Sequence, residues 1–370
     1  MKNKTEKPDW QPENGGEAYA VKIVKGQAAS DAPKAQPKSK NHIPRNPDAL
    51  LDAIRKGERT ALAQGITLIE SNATRHQSQA RELLQKALPY SGNALRIGIS
   101  GMPGAGKSTL IEALGIKLHE HGKKVAVLAV DPSSSITKGS ILGDKTRMEK
   151  LSRLPNTFIR PSPSSGTLGG VARKSRETMM LCEAAGFDII LVETVGVGQS
   201  EITVRSMVDA FLLTLIAGAG DELQGIKKGI MEIADLILIN KADGDNLDAA
   251  RRAKNEYEMA LHYANRNTPE WSVPVLLCSA LTGDGIEDIL KTVNQYIQHL
   301  FKLEIFHKRR TQQLKNWTQV MLEEALLQQF YGNSELKQYF DLVTAMVGRG
   351  ALLPTKAVDE LMERWKELKI

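Results

Sequence analysis

The sequence predicts an α/β protein built on a mostly parallel, doubly wound sheet. Two observations carry that prediction. Between Leu95 and about Leu300, short continuous apolar runs alternate with helical stretches. Such runs suit strands buried on both faces, as in a parallel sheet covered by helices. In addition, the first run passes through a glycine-rich turn directly into an amphipathic helix, the strand–turn–helix connection of a parallel unit. The predicted strands are 96–100, 124–130, 157–160, 188–193, 210–216, 236–240 and 274–279.

The flanks divide the rest of the chain. Residues 1–44 hold Pro8, Pro12, Pro33, Pro37 and Pro44, many lysines and few large apolar side chains. A segment that buries so little cannot offset the entropy of ordering, so a disordered tail is expected there. Residues 45–92 form a helical segment. Leu50, Leu51, Ile54, Ala61, Gly65, Leu68 and Ile69 recur at helical spacing, and Ala80, Leu83, Leu84, Ala87 and Leu88 repeat it. Two helices are therefore expected, closed by Pro89 and Gly92. Residues 93–300 form the main domain. From Ile286 onward only helical periodicity is seen, through Ile289, Val293, Tyr296, Ile297 and Leu300, then Leu314, Trp317, Val320, Met321, Leu326 and Phe330. Gly348 to Gly350 break it, and Pro354 opens a last helix. The arm at 301–370 has too little core to stand alone, so it is expected to pack on the main domain or to pair with a second copy in a homodimer.

Composition excludes several classes. Hydrophobic residues at 41% and charged residues at 25% are those of a folded globular chain. No apolar stretch approaches the roughly 20 residues of a membrane span. Lys2, Lys4, Glu6, Lys7 and Asp9 leave no room for a secretory apolar core, and the first arginine, Arg45, comes too late for an Arg-rich presequence. Two cysteines, Cys182 and Cys278, support neither a disulfide framework nor a Cys-rich metal site, which fits a cytoplasmic location. The net charge of +6 includes one tight basic cluster, Lys308, Arg309 and Arg310, read as a solvated helix face. No nucleic-acid or membrane partner is expected.

The chemistry begins at the glycine-rich turn. Gly101, Met102, Pro103, Gly104, Ala105, Gly106, Lys107, Ser108 and Thr109 spell G-x-x-x-x-G-K-S between a strand and a helix. That context defines a phosphate loop and a P-loop NTPase. Its backbone N–H groups can cradle phosphates, Lys107 can reach the β and γ phosphates, and Ser108 can ligate Mg²⁺. Asn240, Lys241, Ala242 and Asp243 follow a strand and form N-K-x-D. The Asp243 carboxylate can accept from N1–H and the 2-amino group of guanine, whereas adenine offers neither, so GTP and GDP are the expected ligands. Ser279, Ala280 and Leu281 fit a second base-contacting loop. Glu193 ends a strand and opens Glu193-Thr194-Val195-Gly196, a D-x-x-G motif with Glu for Asp. A carboxylate there can hold Mg²⁺ through water. Asp131 and Asp144 can also reach a phosphate-held metal; the competing readings are a turn cap before Pro132 for Asp131 and a solvated loop acid for Asp144. The polar, glycine-rich stretches 132–147, 161–173 and 196–201 are expected to be switches that a γ-phosphate orders. Val197 stands where a water-orienting Gln would be expected, which predicts slow intrinsic hydrolysis; Gln199 is a candidate substitute.

Three segments carry a family resemblance. Asp131 to Ser135, Ser162 to Ala172 and Glu193 to Glu201 together resemble the MeaB/ArgK family, which includes the methylmalonic aciduria type A protein. The resemblance covers about residues 47–370. It implies a SIMIBI-class G domain and a homodimer through C-terminal helices. It further implies a GTPase chaperone that gates adenosylcobalamin delivery to methylmalonyl-CoA mutase and protects that enzyme. The family's metal-proximal acids fall on Asp131, Asp144 and Glu193. Its third switch loop falls on 218–228, with the functional lysine on Lys227, next to Lys228. By this reading Lys107, Glu193 and Lys227 are the catalytic residues. Two alternatives stand beside it. A G-protein metallochaperone would need clustered soft or imidazole ligands, and His119, His121, His262 and the cysteines form no cluster in sequence. A kinase acting on a transport protein would need a base for its substrate hydroxyl.

Overall fold

The structure is a computed structural model, and it describes residues 46–130, 148–161, 168–194, 199–218, 228–262 and 267–368. All of these belong to one compact unit, Ile43–Ile370. In chain order, helices α1 (Pro47–Arg55), α2 (Arg59–Glu70) and α3 (Thr74–Ala87) precede β1 (Leu95–Gly101). Then come α4 (Lys107–Glu120), β2 (Val125–Val130), α5 (Glu149–Arg153), β3 (Thr157–Arg160), α6 (Leu168–Ala184) and β4 (Ile189–Thr194). The second half runs α7 (Gln199–Arg205), β5 (Ala210–Ile216), α8 (Lys228–Ile233), β6 (Leu236–Asn240), α9 (Leu247–His262), β7 (Val275–Leu277) and α10 (Ile286–Lys302). The arm is α11 (Ile305–Tyr331), α12 (Ser334–Gly348) and α13 (Pro354–Glu367).

Every predicted strand is present. The sheet order is β3-β2-β4-β1-β5-β6-β7, and all six pairings are parallel. The phosphate-loop strand β1 is central, between β4 and β5. The chain fills one side with β2, β3 and β4, then crosses β1 to add β5, β6 and β7. Ligands of open α/β sheets bind beyond the strand carboxyl ends at such a reversal.

Alternation along the strands separates two cores. Ile97, Ile99, Leu212 and Leu238 face α4, α5 and α10, where Leu110, Leu114, Leu151, Ile289 and Tyr296 complete the layer. Ile190, Val192, Phe211 and Leu213 face α6 and α7 on the other side, continuous with Leu50, Ile54, Ile66 and Leu83 of α1–α3. The N-terminal helices thus complete one face of the sheet. Gly57 (φ +81°) separates α1 from α2, so the stretch read as one helix is two. Asn46 caps α1 by accepting from Asp48 N–H at 2.9 Å.

The basic cluster on α11 corrects the sequence reading. Lys308 is exposed, but Arg310 points into the base of the sheet. Its guanidinium donates to Asp209 Oδ1 (2.7 Å) and Oδ2 (2.6 Å) and to the Ala94 carbonyl (2.7 Å). Arg309 donates to the Tyr296 hydroxyl (2.7 Å) and Thr268 Oγ1 (3.0 Å), and Tyr296 donates to Asp235. Two arginines therefore fasten the arm to the domain. With the Arg310 and Asp209 side chains 14% and 3% exposed, Arg310→Ala strands a buried carboxylate. It is expected to destabilise the protein by about 3 kcal/mol, measured by urea unfolding.

Farther along, α11 leaves the sheet. Leu314, Leu322, Leu326 and Leu327 are exposed, while Val343, Ala357 and Leu361 make a small separate core with Phe330 and Tyr339.

Candidate active site

The phosphate loop sits where sterics allow only its own sequence. Gly101 ends β1 at φ +147°, and a Cβ there would lie 2.0 Å from the Thr214 carbonyl oxygen of β5. Gly106 precedes α4 at φ +83°, where a Cβ would lie 2.7 Å from Asn240 Nδ2. A side chain at either place would push the loop off the sheet.

Lys107 opens α4, and its ammonium turns back over the loop. Nζ donates to the Gly101 carbonyl at 2.7 Å and the Met102 carbonyl at 3.0 Å. Burial pushes its pKa down, while the Glu193 and Glu201 carboxylates oppose the shift. Buried Glu201, in the first turn of α7, is thus part of the charge balance around the lysine. Sequence reasoning gave it no role.

Ser108 and Glu193 are brought together from residues 85 apart. Ser108 Oγ donates to Glu193 Oε1 at 2.8 Å, and Glu193 is buried at the carboxyl end of β4. Beside them, the Thr194 hydroxyl donates to Ser100 Oγ at 2.9 Å and ties β4 to β1. The hydroxyl and carboxylate are both hard oxygen donors, the ligand type that Mg²⁺ prefers, so the pair fits that ion.

The base-reading loops meet at the ends of β6 and β7. Buried Asn240 donates to the Ala105 carbonyl (2.8 Å) and accepts from Ala280 N–H (3.1 Å). It joins the phosphate loop to both base loops. Ala242 N–H donates to the Cys278 carbonyl (3.0 Å), and the Ser279 hydroxyl donates to the Asp243 carboxylate. Ser279 in turn accepts from Thr282 N–H at 3.1 Å. Ser279 therefore orients Asp243. Leu281 is 84% exposed, and Lys241 takes a left-handed backbone (φ +59°) that presents Asp243 beside it.

The predicted residues thus divide. Lys107, Ser108 and Glu193 converge, and Asn240, Asp243, Ser279 and Ala280 converge beside them. Asp131, Asp144, Gly196, Val197 and Lys227 lie outside the described residues, as does the side chain of Gln199.

Comparison with known proteins gives this geometry a family. Residues 62–335 match the family described as methylmalonyl Co-A mutase-associated GTPase MeaB. The chain belongs to the MeaB family. A MeaB-family relative, the GTPase ArgK of Escherichia coli, is 49% identical over 310 residues, covering 84% of this chain and 94% of its own. A probable GTPase of Mycobacterium tuberculosis is 49% identical over 316 residues, 85% of this chain and 94% of the relative. The methylmalonic aciduria type A homolog, mitochondrial, of Mus musculus is 47% identical over 331 residues, 86% of this chain and 79% of the relative. Among solved structures, the crystal structure of LAO/AO transport system kinase superposes with a TM-score of 0.71 at 42% identity, covering 86% of this chain and 97% of that one. This MeaB-family chain is a GTPase with a SIMIBI-type α/β fold.

Glu193→Gln keeps the size of the side chain and removes its charge. It is expected to raise the Mg²⁺ concentration for half-maximal GTP turnover by about 10- to 100-fold, read from a Mg²⁺ titration of initial rates.

Proposed function

We propose that this GTPase gates the delivery of adenosylcobalamin to methylmalonyl-CoA mutase and protects that enzyme. The observation carrying the reading is the convergence of Lys107 with the Ser108–Glu193 pair at the foot of α7 in a chain of the MeaB family. GTP enters with its base against Asp243 and its phosphates along the loop from Gly101 to Thr109. The Lys107 ammonium leaves the Gly101 and Met102 carbonyls for the β and γ phosphate oxygens, trading neutral acceptors for charged ones. Ser108 and Glu193 would hold Mg²⁺, with Asp131 and Asp144 as further acids; bound Mg²⁺ supplies neutralisation of charge on the phosphates. Lys227 would supply a second positive charge from the 218–228 stretch.

Glu193 belongs to the strand whose next helix is α7, so loss of the γ-phosphate bears on α7 first. Val197 in place of a water-orienting Gln keeps turnover slow until the mutase completes the site. A homodimer through α11–α13 suits the exposed leucines of α11, and a cytoplasmic, magnesium-dependent protein is the setting proposed. The test is transfer of adenosylcobalamin to apo-mutase by the purified protein, with GTP or GDP. Nucleotide-dependent transfer is expected, whereas transfer at one rate in every nucleotide state rules out gating.

A second reading draws on the solved relative titled a transport system kinase. It predicts that label from γ-³²P-GTP appears on a protein or small-molecule hydroxyl. The first reading predicts label in inorganic phosphate alone.

A further inference from the structure

Arg176, like Arg309, differs from the other partly buried arginines around the sheet in having no ion-pair partner among the described residues. Arg96 pairs with Glu183, Arg160 with Glu70, Arg205 with Asp235 and Arg310 with Asp209. Arg176, on α6, has only neutral partners among the described residues. Its Nη2 donates to the Ser206 carbonyl (2.9 Å) and Oγ (2.7 Å), and Nη1 to the Gln313 carbonyl (3.1 Å). Burial and the neighbouring Arg96 cation lower its pKa to about 10, so it stays charged at neutral pH without a counter-ion.

A cleft of about 290 Å³ opens beside it, between α6, α7 and α11. The Trp317 ring forms part of the wall, with the Arg176 guanidinium 5.4 Å from its centre. The indole N–H is buried and has no acceptor among the described residues. The cleft therefore offers a cation without a counter-ion, which a carboxylate satisfies, while the indole N–H lies beneath its surface. Arg173, also on the wall, is already paired with Glu177 at 2.9 Å. Glu324 lines the cleft as well, and no ion pair joins it to Arg176.

The rim is apolar. Ile202 of α7 is 68% exposed and Val320 of α11 is 45% exposed. The volume admits an acidic side chain together with part of its neighbours, and the rim suits apolar residues on either side of it. A free small acid would leave Ile202 and Val320 in water; a peptide would cover them. We infer that this cleft receives an aspartate or glutamate side chain presented by an apolar segment of a partner polypeptide. Because α7 follows the Glu193 strand, such a partner holds the helix that comes next in the chain after the Ser108–Glu193 pair. The inference is independent of which enzyme the GTPase serves.

The test uses the full chain and two peptides, Ac-Leu-Glu-Leu-NH2 and Ac-Leu-Gln-Leu-NH2, with tryptophan emission as the signal. The Glu peptide should give a saturable change that is absent from Trp317→Phe, and should bind at least about tenfold more tightly than the Gln peptide. Arg176→Gln should abolish the difference. Since that change can also unseat α11, the exposed Ile202 supplies a second pair: Ile202→Asp should weaken the Glu peptide and Ile202→Lys should tighten it. No saturable change, equal affinity for both peptides, or the same effect of Asp and Lys at 202 would overturn the proposal. Glutarate binding as tightly as the Glu peptide would overturn the polypeptide source in favour of a free acid.

Discussion

Lys107→Ala is expected to cut GTP turnover at least about 100-fold and to weaken GTP binding, with little change in stability. The ammonium donates to two backbone carbonyls among the described residues, and the cost of burying it outweighs the attraction of Glu193 and Glu201. Its larger role lies with the substrate, where a preorganised cation aimed at the transferring phosphoryl group is worth several kcal/mol. The measurement is single-turnover hydrolysis of γ-³²P-GTP beside an unfolding curve. Turnover within threefold of the unchanged protein would remove the phosphate loop from the chemistry. A large fall in stability would instead assign Lys107 a structural role.

Asp243→Asn should exchange one base for another. The Ser279 hydroxyl and the Lys241 backbone hold the carboxylate in place, so the amide is expected to occupy the same position. Guanine then loses its two charge-assisted acceptors and meets an NH2 group against its own 2-amino group. The expected loss is about 3 kcal/mol, on the order of 100-fold in GTP affinity. Xanthine carries a carbonyl at that carbon, so xanthosine triphosphate should bind the variant better than GTP does. Calorimetry with both nucleotides reads the exchange. Unchanged preference for GTP would place base recognition elsewhere in the protein.

The strands were legible because burial on both faces keeps them mostly apolar. Val125–Val130 and Leu236–Asn240 are buried from end to end, and the sequence displays the first as an unbroken apolar run and the second as one up to its terminal Asn240. The phosphate loop was legible for a different reason: glycines at 101 and 106 are demanded by the Thr214 carbonyl and the Asn240 amide, and the spacing records those demands. What stayed hidden depended on partners remote in sequence. Arg310 looked like a solvated cation because its acceptor, Asp209, is 101 residues away. The spacing of Asn240 says nothing of its second tie, an amide that reaches back 135 residues to Ala105. The break at Gly57 was missed because apolar spacing continues across it, and only the left-handed backbone ends the helix.

These long-range ties give the arm a physical connection to the nucleotide site. Arg176 links the end of α7 to α11, and Gln313 of α11 donates to the Val208 carbonyl at 2.8 Å. Any shift of α7 would therefore reach α11 directly, through these hydrogen bonds rather than through the sheet.

The most direct test of a nucleotide-gated partner is the affinity of the protein for methylmalonyl-CoA mutase, measured by calorimetry with GDP and with a non-hydrolysable GTP analogue. The account predicts a complex in both titrations, with dissociation constants separated by at least about fivefold, the lower end of ordinary allosteric coupling. Equal constants in the two nucleotide states, or no complex in either, would contradict it.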